Sequence, residues 1–296
     1  MQKKPSWIKT SLQATHKFDK VIKTLKGLEL HTVCVEAKCP NLNECWDEGT
    51  ATFLILGDVC TRNCKFCATK TGNPKGYIDF EEPERVLSAV KEMKLDYVVI
   101  TSVTRDDLSD QGASIFAETV KLIKDYSPHV LVETLVPDLN AERSLIELIL
   151  NAGVDVFAHN VEVVERLTPL IRDKRANYHK SLLTLKTAKE LERKIFIKSG
   201  FMIGLGETKE EIIKTMEDLL SAGVDILTIG QYLRPSLKHA EVEKYYTPEE
   251  FNEFARIGRE MGFKLVASGP LVRSSYRAGE FYVKMTKNKN KFESVN

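Results

Sequence analysis

The chain has 296 residues, 43% of them hydrophobic, enough to fill the core of one large domain or two small ones. Lys and Arg number 43 against 42 Asp and Glu, so no whole-chain basic field points to nucleic acid or an anionic membrane as a partner. All six cysteines fall between Cys34 and Cys67, and the 229 residues that follow hold none.

The first twenty residues, MQKKPSWIKTSLQATHKFDK, are polar, broken by Pro5 and without the apolar centre of a secretory signal. No apolar run approaches the ~20 residues a membrane-spanning helix needs. A cytoplasmic protein with no membrane partner is therefore expected. In a reducing compartment, six crowded cysteines point to metal binding or redox chemistry rather than to disulfides. The first trio, Cys34, Cys39 and Cys45 in CVEAKCPNLNEC, is spaced C-x4-C-x5-C. Pro40 and two asparagines make its interval a loop, read either as a metal-binding turn or as buried free thiols.

From Thr50 the sequence alternates short β-rich runs with longer amphipathic ones, the pattern of βα units around a parallel sheet. Strands are predicted at Thr52–Leu56, Tyr97–Ser102, His129–Leu135, Val154–His159, Lys194–Ile203 and Ile226–Tyr232. Between them, Pro83 marks a first helical turn, Asn140 is placed to cap AERSLIELILN, and Thr208 with Glu211 forms a capping box. The phrases NAGVDVF and SAGVDIL each read as helix end, glycine turn and strand. The expected fold is α/β, an incomplete (βα)6 barrel, ahead of a doubly wound open sheet. Residues 1–49 form an N-terminal extension, 50–246 the barrel, and 247–296 a C-terminal extension with a helix pattern and the apolar KLVASGPLV. The lysines from Lys284 to Lys291 read as a solvated end.

The second trio, Cys60, Cys64 and Cys67, is a C-x3-C-x2-C set directly after the first predicted strand. Such short spacings let three thiolates of one loop face one metal centre and leave a coordination position open. A zinc knuckle completed by a histidine has compatible spacing, but no histidine lies within 27 residues of the trio. The motif resembles that of the radical S-adenosylmethionine superfamily, C-x3-C-x-aromatic-C, with Phe66 at the aromatic position. The resemblance implies a 4Fe–4S cluster on Cys60, Cys64 and Cys67. S-adenosylmethionine would chelate its free iron and be cleaved by one electron to a hydrogen-abstracting 5′-deoxyadenosyl radical.

The upstream trio sharpens this. C-x4-C-x5-C followed 15 residues later by C-x3-C-x2-C resembles the lipoyl synthases, together with the phrases TSVTRDDLSDQGA, FAHNVE, KSGFMIGLGET, GQYLRPS and GPLVRSSYRAGE. The likeness extends over nearly the whole chain and implies an auxiliary 4Fe–4S cluster on Cys34, Cys39 and Cys45. Its fourth ligand would come from Arg273-Ser274-Ser275-Tyr276, with Ser275 expected and Ser274 the alternative. An alkoxide suits a soft sulfide cluster poorly, which fits a cluster that is dismantled to supply sulfur.

By the same resemblance, Gly200, Ile203, Gly204 and Glu207 approximate a stretch set against adenine, although Gly204 also suits a plain tight turn. Thr101, Ser102 and the run Thr104 to Asp107 would hold the methionyl amine, while Glu133, Asn160, Arg172 and Gln231 are placed at the same mouth. The implied activity is that of a sulfurtransferase adding sulfur at C6 and C8 of a protein-bound octanoyl-lysine. The implied partners are lipoyl carrier domains (2-oxoacid dehydrogenase E2 subunits and the glycine cleavage H protein), an electron donor and a cluster-repair protein.

Overall fold

Before the main sheet begins, the chain forms helix α1 (His16–Gly27), a two-residue strand β1 (His31–Thr32) and the short helices α2 (Val33–Glu36) and α3 (Leu42–Asp47). The computed structural model describes residues 4–8, 16–47, 52–275 and 279. Thr32 caps α2 by accepting from the Val35 amide at 3.4 Å. Buried Trp46 of α3 packs on Phe18 of α1 with centroids 5.3 Å apart, so this segment is fastened by an aromatic contact.

The sheet then opens with β2 (Thr52–Ile55), and a small parallel pair, β3 (Val59–Cys60) and β4 (Lys70–Thr71), brackets the second cysteine trio. There follow α4 (Glu82–Met93), β5 (Tyr97–Ser102), α5 (Ala113–Tyr126), β6 (Leu131–Leu135), α6 (Arg143–Asn151) and β7 (Val156–Ala158). The chain continues through α7 (Thr168–Ile171), α8 (Tyr178–Leu191), β8 (Phe196–Ile203), α9 (Lys209–Ser221), β9 (Ile226–Gln231), α10 (Pro248–Met261) and β10 (Leu265–Gly269). Sheet order is β1-β2-β5-β6-β7-β8-β9-β10; β1 runs antiparallel to β2 and the other pairings are parallel. Among the described residues the two outer strands do not pair with each other, so the barrel is incomplete.

All six predicted strands form. A seventh parallel strand, β10, comes from the segment read as a C-terminal extension. Its LVASG sequence ends in small residues and carries little β-branched signal. What places it is α10, started by a Thr247–Glu250 capping box and ended by Gly262 at φ 111°, which returns the chain so that Leu265 lies opposite Ile226. The Thr208–Glu211 box forms as expected. Asn140 does not cap α6. It sits at φ 50° inside a short 3-10 turn, and the Asp138 carboxylate accepts from its amide at 3.2 Å.

The two repeated phrases share one physical device. Gly153 and Gly223 turn the chain at positive φ, and the next aspartates, Asp155 and Asp225, each accept from an amide of the neighbouring strand, β6 or β8, and from a lysine on the helix leading into that strand, α5 or α8. These ties fix the starts of β6 and β8. Among the described residues no helix is long and apolar enough to cross a membrane.

Candidate functional site

A cavity of about 860 Å³ runs up the inner face of the sheet. Thr52 and Leu54 of β2 and Tyr97, Val99 and Thr101 of β5 line it, alternate residues that place one face of each strand inward. All six cysteines line this chamber, and so do Arg273, Ser274 and Ser275 from the far end of the chain. Its size lies toward the upper end of the ~300–1,000 Å³ usual for ligand sites.

The second trio sits on a loop fastened to three others. Thr61 donates its amide to the Thr104 carbonyl at 2.9 Å, Lys65 to that of Ile171 at 2.8 Å, and His239 meets the Cys67 carbonyl at 3.0 Å. Arg62, inside the motif, is the central clamp. Its guanidinium reaches Asp106 at 2.8 Å and Asp138 at 2.6 Å while its side chain is 5% exposed. Burial alone would raise the Asp138 carboxyl, but the hydrogen bonds and charge of Arg62 hold it well below its usual value. Backbone amides also point at sulfur: Arg62 N donates to Cys60 Sγ at 3.4 Å and Asp173 N to Cys64 Sγ at 3.3 Å. Burial pushes the Cys64 thiol up to about 11, and that of Cys67 upward as well. Without a metal these are thiols, and ligation releases their protons.

The first trio is closed from the other end of the chain. Asn41, between Cys39 and Cys45, donates to the Leu271 carbonyl at 2.7 Å. Burial raises the Cys34 and Cys39 thiols, and the Arg273 guanidinium counters this at Cys39. Gly230 of β9 permits the approach, since a Cβ there would meet the Val272 carbonyl at 2.2 Å. Of the two serines, Ser274 accepts from Asn160 Nδ2 at 2.7 Å. Tyr276 lies outside the described residues.

The donor set suits iron–sulfur ligation. None of the six cysteines is in a disulfide. Among the described residues, no three His, Cys, Asp or Glu side chains gather tightly enough to hold a single metal ion, and all six cysteines line the chamber. Three buried polar atoms on this wall, Asn41 Oδ1, Ser102 Oγ and Arg172 Nε, have no protein partner among the described residues.

The other sequence-expected residues divide. Phe66, Thr101, Asn160 and Arg172 line the cavity, as does Gln231, whose amide is spent on the carbonyls of Ile203, Tyr232 and Lys244. Glu133 does not reach the mouth. It lies in mid-strand, ion-paired with buried Lys198 at 2.8 Å and accepting from Tyr97 at 2.6 Å. Gly204 is also off the wall, held in a turn at φ 110° where Glu207 accepts its amide at 2.6 Å. Arg105 and Asp107 pair with each other at 2.8 Å.

Besides Arg62 and Asp138, two further cavity residues not singled out from the sequence fall in the phrase FAHNVE. His159 is buried, and burial followed by the Arg172 charge lowers its pKa to about 4. Its Nδ1–H donates to the Val136 carbonyl at 2.9 Å, which leaves Nε2 to accept from Ser181, which in turn accepts from Arg172 at 2.9 Å. This relay orients Arg172. Glu162 lines the chamber at φ 69°, an unusual backbone for a non-glycine, and burial raises its carboxyl pKa despite Arg172 nearby.

Comparison with known proteins places the chain in a family. Residues 54–219 match the profile of the radical SAM superfamily, and residues 1–39 match that of the N-terminal domain of lipoyl synthase of the radical SAM family. The lipoyl synthase of Thermus thermophilus is 52% identical over 283 residues, 96% of this chain and 88% of the relative. The chain belongs to the lipoyl synthase family. The lipoyl synthase of Marinobacter nauticus is 51% identical over 96% of this chain and 82% of its own. The mitochondrial lipoyl synthase of Vitis vinifera is 50% identical over 95% and 73%. Among solved structures, methylornithine synthase aligns at TM-score 0.51 and 14% identity over 84% of this chain and 85% of its own. The FeFe-hydrogenase maturase of Carboxydothermus hydrogenoformans aligns at 0.55 and 16% over 70% and 50%. Both likenesses show the fold alone. As a lipoyl synthase the protein is an enzyme of lipoate biosynthesis, a transferase, and superfamily membership carries a 4Fe–4S cluster and S-adenosylmethionine.

Proposed function

We propose that this enzyme inserts sulfur at C6 and C8 of an octanoyl group amide-linked to a lysine of a lipoyl carrier domain. In this reading Cys60, Cys64 and Cys67 hold the cluster that serves S-adenosylmethionine, and Cys34, Cys39, Cys45 and Ser275 hold a second 4Fe–4S cluster. When bound, these groups would supply reductive cleavage of a sulfonium bond, one S-adenosylmethionine per C–H bond broken, and the inserted sulfur. The observation that carries the reading is that both trios and the Ser274–Ser275 pair face one chamber.

The chain's own residues bind, orient and exclude water. Arg172, steadied through Ser181 and His159, offers an unpaired Nε–H to a carboxylate such as the methionyl one. Leu54, Val99 and Leu135 give an apolar wall for an alkyl chain. Arg273 offsets charge beside Cys39. We take Ser275 as the fourth ligand, with Ser274, whose hydroxyl accepts from Asn160 Nδ2, as the alternative. The carriers are E2 subunits and the H protein, an electron donor and a cluster-repair protein complete the set, and the compartment is the cytoplasm. Named relatives include mitochondrial and apicoplast enzymes.

The test is anaerobic incubation of the reconstituted enzyme with an octanoyl-lysyl peptide, S-adenosylmethionine and dithionite, followed by mass analysis. A product carrying two added sulfurs is expected. An unchanged peptide alongside consumed S-adenosylmethionine would overturn the reading.

A further inference from the structure

One end of the chamber lies deep in the barrel, far from the second-trio loop. Its wall on β5 is made by Tyr97, Val99 and Thr101, and Tyr97 is the first residue of that strand. Thr101 stands four residues further on, about 13 Å along the strand toward the second-trio loop. Below Tyr97 the barrel is filled. Val156, Phe196, Ile226 and Leu265, each the first residue of its strand, pack together, and none of them lines the chamber.

Beside this plug lies a buried ion pair, in which Lys198 Nζ reaches both oxygens of Glu133 at 2.8 and 2.9 Å. The Tyr97 hydroxyl donates to Glu133 at 2.6 Å and so points off the chamber wall, which neither member of the pair lines. Buried ion pairs add little net stability, and the effect of this one is to hold the ring in place. The base of the ring is held as well. Gly279, also on the chamber wall, lies so close that a Cβ there would meet Tyr97 Cβ at 3.2 Å and Cγ at 3.3 Å.

A ring tied at both ends, standing where an apolar wall of Leu54, Val99 and Leu135 runs out, limits what can lie along that wall. We infer that Tyr97 stops the methyl end of the acyl chain, selecting eight carbons and setting the depth at which C6 and C8 are held. The inference rests on the octanoyl reading above. A chain two carbons longer has to displace a tethered ring, and a shorter one leaves a void in front of it. The reacting carbons are among the last three of the chain, so the end held by the ring is the end on which the chemistry acts.

The test compares octanoyl-lysyl and decanoyl-lysyl peptides, with S-adenosylmethionine and dithionite, on reconstituted wild type, Tyr97→Phe and Tyr97→Leu. Leu148→Ala, at an exposed position on α6, is the distant control. Peptide binding, 5′-deoxyadenosine and sulfur per peptide are measured in each. Wild type and control should prefer octanoyl by roughly tenfold or more in kcat/KM, the scale of discrimination by a filled apolar pocket. In Tyr97→Leu the preference should shrink to about twofold, and octanoyl peptide should yield 5′-deoxyadenosine out of proportion to the sulfur inserted. Tyr97→Phe, which keeps the ring but unties it, should fall between. Because the preference is a ratio within one preparation, a misfolded fraction cancels. An unchanged ratio in Tyr97→Leu would overturn the inference, as would a wild type that accepts both peptides equally. So would loss of binding and turnover of both peptides in Tyr97→Leu, which would leave Tyr97 a packing role alone. Absence of sulfur in the octanoyl peptide with wild type would instead strike the octanoyl reading itself.

Discussion

The two cysteine trios share a chamber but are held in opposite ways. The Cys60–Cys67 loop is pinned by charge and main-chain bonds to three neighbouring loops, with Arg62 bridging Asp106 and Asp138. The Cys34–Cys45 segment is fixed by packing of Trp46 on Phe18, by the pairing of β1 with β2 just before it, and by a bond from Asn41 to the distant Leu271. One site is therefore framed by the barrel's own loops, whereas the other, though joined to the sheet through β1, also draws on the chain's far end. That difference suits the proposed division between a retained cluster and one consumed for its sulfur.

The largest expected effect separates the sites outright: Cys64→Ala should abolish S-adenosylmethionine cleavage, measured as 5′-deoxyadenosine. Next comes metal content. Reconstituted wild type should be brown with about eight irons per chain, and the Cys34, Cys39 and Cys45 triple alanine variant with about four. A colourless zinc protein would break the comparison at its root.

Arg62→Leu tests the frame. It leaves Asp138 buried without its guanidinium and should cost about 3–5 kcal/mol in unfolding of the cluster-free protein. No comparable loss is expected from Asn41→Ala, which removes a single neutral hydrogen bond worth about 1 kcal/mol.

His159 gives a pH test of similar size. Its folded pKa, about 4, lies below its ordinary 6.5, so the folded protein resists a proton that the unfolded chain accepts. Stability is unaffected above pH 6.5 and should fall by roughly 3 kcal/mol as pH drops toward 4. Melting curves of wild type and His159→Gln across that window check this, since the variant should lose that part of the slope. The smallest effect separates the serines: Ser274→Ala removes only the bond to Asn160, about 1 kcal/mol. Ser275→Ala should instead spare S-adenosylmethionine cleavage and lose sulfur transfer.

What the sequence revealed follows from locality. Strands rich in Val and Ile, the Thr208–Glu211 box and both cysteine spacings are patterns within a few residues, and they are legible as written. Arg62 gave no such signal, because its partners lie 44 and 76 residues away. Glu133 looked like a strand-end group, yet it lies two residues before the last residue of β6, turned toward Lys198. The glycine at 204 was ambiguous by itself; the positive φ and the Glu207 clasp explain it as a turn. β10 escaped a strand reading because neighbouring β9 and helix α10 place it more than its own residues do.

The central claim is the division between the trios, and Cys39→Ala tests it most directly. With an octanoyl-lysyl peptide, S-adenosylmethionine and dithionite, 5′-deoxyadenosine and sulfur-bearing peptide are measured in the same reaction. The division predicts 5′-deoxyadenosine at near wild-type rate with no sulfur in the peptide. Loss of 5′-deoxyadenosine equal to that of Cys64→Ala, or sulfur inserted as in wild type, would contradict it.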